Sequence, residues 1–480
     1  MPLRKGSIRG NLQRSLLTKR GARVYGGANV GAATLERRSG ATFDIQKTAI
    51  IHFTKTARKL NADPFIIKDQ IIYPKDHVKI LGLIVDARLK YKQQIARAAS
   101  KGLATALELT RFKGLTAATA RRLFSATVAP AVDYASNIWM HAYKDRNVGP
   151  INRVQRVGAQ AIVGTFLTVA TSIAEAEASI LSAGERFWKR ATKMWIDIHT
   201  LPQTNRLHRI TSRIQKHYFG GYRSPFHQVA YRLKNVPLQE IETILPFTLA
   251  PWEKRIQSIK HDKPNKDTEI SWDMCIAVSS SARNDVVGGG GAIEVTANGD
   301  GEARRGTFSL TVGWSAEQNP YFGELATLAH ALTGMPDVRH RRVALLTTNQ
   351  AVALTLRTPR QHSGQEHVRS IYNSIKRLWK NGNDILVVWI PSSSQDKTLL
   401  LAKREARQAT KQGSIPSRQA SIMKSTTLNL ERKRIETERS LPDRVGNHTK
   451  KVDAALPGAH TRELYDNRPW TERSSIVNAV

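Results

Sequence analysis

The sequence predicts a multidomain chain, α+β in its first part and α/β in its last, on three observations. Apolar residues recur with helical spacing from Tyr91 to about residue 235. Short β-branched runs precede that region, and a βββαβαβα alternation follows it from about residue 269. A length of 480 residues, 40% of them hydrophobic, suits about two to four domains with real cores.

Residues 1–40 are rich in Arg, Gly and Ser without an apolar period, which predicts a disordered basic arm. In residues 41–90, ATFDIQKTAIIHFT (Ala41–Thr54) ends in a β-branched and aromatic run. After Pro64, PFIIKDQIIYP and HVKILGLIVD predict further strands of one small sheet. Residues 91–235 predict helices. Ile95, Ala99, Leu103 and Leu107 share a face of the first, Gly114 stops it, and Thr116 or a neighbour caps a second helix with Arg121 and Arg122 on its polar side. Pro130 breaks or kinks that helix before Tyr134 and Trp139. Pro150 opens the next, where Ile151, Val154, Ala161 and Ile162 form an apolar stripe opposite Arg153 and Arg156. Phe187, Trp188, Ala191, Met194 and Trp195 belong to a further helix and read as core packing.

Residues 236–268, rich in Pro and Lys, predict a linker. Within 269–412, DMCIAV, GGGGAIEV and GTFSLTVGW predict an antiparallel meander, with the run Gly288–Gly291 making a hairpin turn. NPYFGELATLAHAL predicts a helix, RRVALLTT a buried strand, HVRSIYNSIKRLWKNG a helix closed by Gly382, and DILVVWIP a strand closed by Pro391. KTLLLAKREARQATK is the last helix. Residues 413–480 read as a basic polar tail. Its segment NLERKRIETERS fits either a charged amphipathic helix or a nuclear-localisation or RNA-contact patch.

Against 39 Asp+Glu stand 74 Lys+Arg, a formal charge of +35 that points to a polyanionic partner, nucleic acid first. No basic amphipathic helix carries the aromatic anchor of a membrane-surface element. No apolar run approaches a membrane span, and the basic start lacks the apolar core of a signal peptide. The chain is therefore expected in the nucleus or cytoplasm. Cys275 alone excludes an intramolecular disulfide and any Cys-rich zinc site, so a metal would need carboxylates or histidines. His362 and His367 are five apart, without metal-ligand spacing, and read as surface residues. Gly288–Gly291 lacks the Lys-Ser/Thr that follows a phosphate-binding loop.

Two blocks, DIQKTAIIHF with VKILGLIVDARLKYKQQIARAASK and then PINRVQRVGAQAIVGTFLTVATSIAEAEASI, resemble the end of the palm, the thumb and the following helical segment of non-LTR (LINE-type) retrotransposon reverse transcriptases. EQNPYFGELATLAHAL, ALLTTNQAVALTLRTPRQHSGQ and ILVVWIPSSSQDK resemble, in order and spacing, a type 1 RNase H domain. The resemblance covers residues 41 to about 412. It implies the palm end at 41–90, thumb and connection at 91–235, and an RNase H-like domain at 269–412.

The Tyr/Phe-x-Asp-Asp turn of the polymerase is absent before Ala41, so Lys47, which matches a lysine beside the incoming nucleotide, has no centre to serve. The RNase H resemblance implies four carboxylates holding two Mg²⁺ ions. Glu324 matches one. Ser279, Thr348 and Leu399 stand at the other three positions, and about Ser393 replaces the usual loop histidine. Asp285 and Asp396 are the candidate substitutes, and without them Glu324 alone is a weak metal ligand.

The expected function is that of a truncated, degenerate remnant binding RNA, DNA or an RNA–DNA hybrid without polymerase or nuclease activity. Phosphate contacts are expected from Lys47, Lys90, Lys92, Arg97, Lys101, Arg121, Arg122, Arg153 and Arg156, with Tyr91 and Trp139 as stacking partners. The alternatives are an active Mg²⁺-dependent hybrid ribonuclease and a decayed element copy without function.

Overall fold

A computed structural model describes residues 37–40, 48–53, 63–67, 70–112, 114–143, 148–166, 168–216, 225–260, 272–296, 304–416, 420–443, 445–458 and 460–466. The arm at 1–36 and Lys47 lie outside them. The chain divides into two compact units, one of residues 1–187 and 440–480, the other of 188–439.

The first unit begins with two separate hairpins. Strand β1 (Phe65–Ile67) pairs antiparallel with β2 (Gln70–Ile72), and β3 (His77–Ile80) with β4 (Leu83–Asp86). The β3–β4 turn is Leu81-Gly82, with φ of 48° and 84°, the two positive values that a type I′ hairpin needs. The single sheet expected from the sequence is thus two sheets. Pro74, without an N–H for a ladder, stands between them and bridges to Ile50 instead.

Helix α1 (Lys92–Arg111) buries Ile95, Ala98, Ala99, Gly102, Ala106 and Leu109. Leu107, expected on that face, is exposed. Steps of four residues advance 400° and drift off a face of 3.6-residue period, whereas alternating steps of three and four stay on it. Thr116 caps α2 (Ala117–Leu123), accepting from the Thr119 N–H at 3.2 Å. A π-helical turn, Phe124–Val128, leads into α3 (Ala129–Asp133) with Pro130 in its first turn, so the proline displaces the helix rather than stopping it. Short α4 (Ser136–Trp139), α5 (Gly149–Val163) and α6 (Thr171–Glu177) follow. α7 (Ala183–His199) contains the division between the units.

A buried polar relay fixes the first unit. Arg186 donates to Asp133 at 3.0 Å and to Gln155 at 2.9 Å, and Gln155 donates to Glu175 at 2.6 Å. Residues 440–466, expected within a polar tail, pack into the same unit. Leu441 and Leu456 join Ala176, and the Tyr465 hydroxyl donates to Glu177 at 2.9 Å. A run can be polar on average and still bury the few apolar side chains that share one side of it.

The second unit contains α8 (Arg206–Lys216), α9 (Pro225–Arg232) and a six-stranded sheet of order β5-β10-β9-β6-β7-β8. Its strands are β5 (Gln257–Lys260), β6 (Met274–Arg283), β7 (Val286–Val295), β8 (Arg304–Trp314), β9 (Arg342–Thr347) and β10 (Asp384–Trp389). β6, β7 and β8 form the expected meander, while β6, β9, β10 and β5 run parallel. Between and after them lie α10 (Pro320–Thr333), α11 (Gln350–Arg357), α12 (Gln365–Lys380), α13 (Lys397–Gln408) and α14 (Lys424–Thr437). The βββαβαβα alternation holds, with α12 as the helix expected between β9 and β10 and α11 an additional helix before it.

Three expectations fail here for packing reasons. Residues 236–260 are not a linker: Leu238, Ile241, Ile244, Leu249 and Ile256 are buried, and β5 extends the sheet. Residues 420–437 are not a tail, since Met423 is buried beside Phe322 and Glu431 and Ile435 are buried on α14. Gly288–Gly291 form no turn. They are the middle of β7, and the turn is Asn284-Asp285, both at positive φ.

The glycines permit two helices to approach β7 from opposite faces. A Cβ on Gly290 would lie 2.1 Å from the Ala406 nitrogen and 2.3 Å from the Ala402 oxygen of α13. On the other face, a Cβ on Gly289 would lie 1.7 Å from the Thr327 hydroxyl of α10. Real side chains would push both helices off the sheet.

Candidate functional site

Strand alternation decides which groups meet at the C-terminal ends of the parallel strands. Ile276 and Val278 of β6 face the core shared with α10, and Ala277 faces that shared with α13. Ser280 therefore falls on the α10 face and Ser279 on the α13 face. Asn319 caps α10, accepting from the Phe322 N–H at 3.1 Å, with Pro320 in the first turn. That start places Glu324 on the second turn, directed at the end of β9.

Glu324 is buried, and its carboxyl is held by hydroxyls and one amide. Thr347 donates to Oε2, Thr348 to Oε1 at 2.7 Å, the Asn349 N–H to Oε2 at 3.2 Å, and Ser280 approaches Oε1 at 3.5 Å. Asn349 is the cap of α11, accepting from the Ala351 N–H. The carboxyl thus ties α10, β6, the end of β9 and the start of α11. Burial pushes its pKa above the ordinary value of 4.5, more strongly than these donors pull it down.

The other positions bring no carboxylate to Glu324. Ser279 is buried beneath α13, opposite Gly290. It is its neighbour Ser280 that reaches the glutamate, which counting two by two from Val278 could have shown. Thr348 is present as a hydroxyl donor, and Thr347 adds a second donor that no sequence motif marks. Leu399 is fully buried among Ala277, Leu346, Val388 and Ile390, in a purely apolar setting.

Neither proposed substitute approaches. Asp285 is exposed at the tip of the β6–β7 hairpin, five residues past Ser280, roughly 17 Å of extended chain. Asp396 caps α13, accepting from the Leu399 N–H at 2.7 Å. Its charge is felt at Cys275, five residues before Ser280. There burial, then Asp396 and Glu294, push the thiol up to about 12, which leaves it unreactive.

The residues present do not fit a pair of magnesium ions. One carboxyl, buried and already engaged by its neighbours, offers neither the charge nor the lone pairs that two hard cations require. Among the described residues no group of three or more His, Cys, Asp or Glu is placed to hold a metal. His362 and His367 are not simple surface residues: they pack against Tyr321 and Phe322, with ring centroids at 6.4 and 4.8 Å. Ser393 is exposed.

The basic residues expected to hold phosphate separate into two groups. Lys90, Lys92, Lys101, Arg122 and Arg153 are exposed. Arg97 donates to the Gly82 carbonyl, Arg156 to Thr171, and Arg121 to the Ala178 carbonyl and the Asp466 carboxylate, the last two at 2.7 Å. These three are committed within the fold. Lys92 and Lys101, nine residues or two and a half turns apart, edge the solvent side of α1 from opposite flanks. Tyr91 and Trp139 are buried and cannot stack on a base. Tyr91 meets His141 edge-on, and Trp139 meets Phe187 at 4.9 Å. Helical segments this rich in alanine need large rings to fill their core. Arg121→Ala is accordingly expected to lower thermal stability while leaving nucleic-acid affinity within about 2-fold; an affinity loss without a shifted melt would return Arg121 to the binding surface.

No helix among the described residues is long and apolar enough to cross a membrane. No family model and no curated protein matches the sequence. Among solved structures, the chain is similar to RNase H1 of the halophilic archaeon Halobacterium salinarum, at 17% identity over 28% of this chain and 98% of that one, with a TM-score of 0.22. It is similar to the N-terminal RNase H domain of a Mycobacterium tuberculosis protein, at 14% identity over 29% and 98% of the two chains, TM-score 0.22. A compost-derived RNase H1 in complex with an RNA/DNA hybrid matches at 15% identity over 29% and 99%, TM-score 0.22.

Proposed function

We propose that this chain is a remnant of a non-LTR retrotransposon reverse transcriptase/RNase H polyprotein that binds RNA, DNA or their hybrid and neither copies nor cuts it. Residues 41–90 correspond to the palm end, 91–235 to the thumb and connection, and 269–412 to the RNase H-like part, on the sequence resemblance. One observation carries the loss of chemistry: the Glu324 carboxyl is spent on Thr347, Thr348, Asn349 and Ser280, while apolar Leu399 and buried Ser279 stand where further carboxylates would be needed. The charge of +35 supports retained binding through released counterions.

The test measures affinity for a labelled RNA–DNA hybrid against salt, with Mg²⁺ or Mn²⁺ added in parallel. If Lys90, Lys92, Lys101, Arg122 and Arg153 include at least three phosphate contacts, log K falls with log salt at a slope of about −2.5 or steeper. No cleavage product is expected. Cleavage abolished by Glu324→Gln would establish an active ribonuclease instead. A soluble chain that binds nothing and unfolds without cooperativity would establish a decayed copy.

A further inference from the structure

Among the described residues of the second unit, Trp252 is the most exposed aromatic side chain, at 85%. It is held out by a tight turn, not by a loose loop. The Glu253 N–H donates to the Ala250 carbonyl at 3.1 Å, and the Ala250 N–H donates back to the Glu253 carboxylate at 2.8 Å. Pro251 sets the backbone angle at the turn's second position. Lys376 of α12 then anchors Glu253 at 3.3 Å.

The segment presenting this ring lies along α12. Arg369 sits 5.8 Å from the Phe247 ring, and the Lys254 ammonium 4.6 Å from that of Trp379. Arg369, Asn373, Lys376 and Lys380 follow each other at helical spacings of four, three and four. Asn373, Lys376 and Lys380 are exposed and Arg369 is half-buried, so that three cations, Lys376 among them ion-paired with Glu253, lie along a stripe about 16 Å long on the helix that anchors the Trp252 turn.

We infer that Trp252, with Lys254 and the Arg369–Lys380 stripe, is a binding site for single-stranded nucleic acid, a base stacking on the indole while the backbone follows the cations. A π-face beside a row of charges suits an unpaired strand, whose bases are free to leave their own stack. A duplex offers the stripe its phosphates but no base for the ring. The site rests on the nucleic-acid reading above and adds to it a surface remote in sequence from α1 and α2.

The test uses the full chain with fluorescein-labelled oligouridylate and oligothymidylate, and a blunt duplex for comparison. Trp252→Ala is expected to weaken single-strand binding about 5-fold or more and duplex binding little. Trp252→Phe retains affinity within about 2-fold, since a ring remains. Lys380→Ala is expected to flatten the salt slope by about 0.7, one phosphate contact on a single strand. The exposed positions leave the thermal melt unchanged. Single-strand binding indifferent to both alanine substitutions overturns this site alone, whereas a wild-type chain that binds neither strand nor hybrid overturns the broader reading as well. A Trp252→Ala loss equal for single strand and duplex would show that the ring stacks on no unpaired base, and would also overturn the assignment.

Discussion

Gly290→Ala is expected to disrupt the second unit, lowering its stability by about 3 kcal/mol or more, beyond the usual cost of an oversized core side chain. The reason is specific. The new methyl group would meet backbone atoms of α13 at 2.1 and 2.3 Å, and backbone cannot rotate away as a flexible side chain can. Relief requires α13 to lift from β7, which uncovers Leu399, Ala402 and the apolar cluster around Ala277. Gly306→Ala is the control. It lies on β8, where an added Cβ meets nothing within 4 Å, and should change stability by less than about 1 kcal/mol. Thermal and urea unfolding followed by circular dichroism compare the two. A Gly290→Ala melt within about 2 °C of wild type would show that α13 does not pack this closely.

The second large effect belongs to Glu324. Glu324→Ala leaves the Thr347 and Thr348 hydroxyls without their acceptor in a buried site, at about 1–3 kcal/mol for each group left unsatisfied, while the Asn349 N–H keeps the Thr347 hydroxyl at 3.2 Å. Glu324→Gln should cost less than about 1 kcal/mol. Its carbonyl can accept from Thr347 and Asn349, and its amide can donate to Thr348. A carboxylate ligand of two cations would show another pattern, since the glutamine would spare the fold and abolish the chemistry.

The pH dependence provides a separate check. The folded-state pKa of Glu324 is raised above 4.5 by burial, so the native protein binds this proton more tightly than the unfolded chain does. Its favourable contribution is complete below the unfolded value and is lost as pH climbs through the raised one. Wild type should therefore lose stability relative to Glu324→Gln as pH rises from about 4.5 toward neutrality. A stability difference that is flat over that range would mean that the surrounding donors outweigh burial.

Local pattern carried much of the fold. Pro150 and Gly382 stand at helix ends as expected, Thr116 caps α2, and the alternation around GTFSLTVGW marks β8. These are short-range effects, in which a missing N–H, a positive φ or a side-chain acceptor acts within one turn of its own backbone. Helical period also placed Phe187 and Trp195 in cores. It failed at Leu107, where the chosen spacing drifted off the buried face.

Other features depended on partners far away in the chain. Whether Gly288–Gly291 turn or extend is decided by α10 and α13, which arrive on both sides of β7 and leave no room for a Cβ. Whether residues 236–260 link or pack is decided by the edge of β10 that β5 completes. The sequence alone determined the charge of +35, the single cysteine, and the presence of Glu324 without aspartates at positions 279, 348 and 399. Only the tertiary structure decided what those residues do. It encloses Glu324 among hydroxyls, sends Asp285 to a hairpin tip, assigns Asp396 to a helix cap, pairs Arg121 with Asp466, and sets Trp252 out beside a cationic helix. Composition fixes how much charge and apolar surface a chain carries, but burial and distance fix what each group can touch, and those arise only when segments remote in sequence pack together.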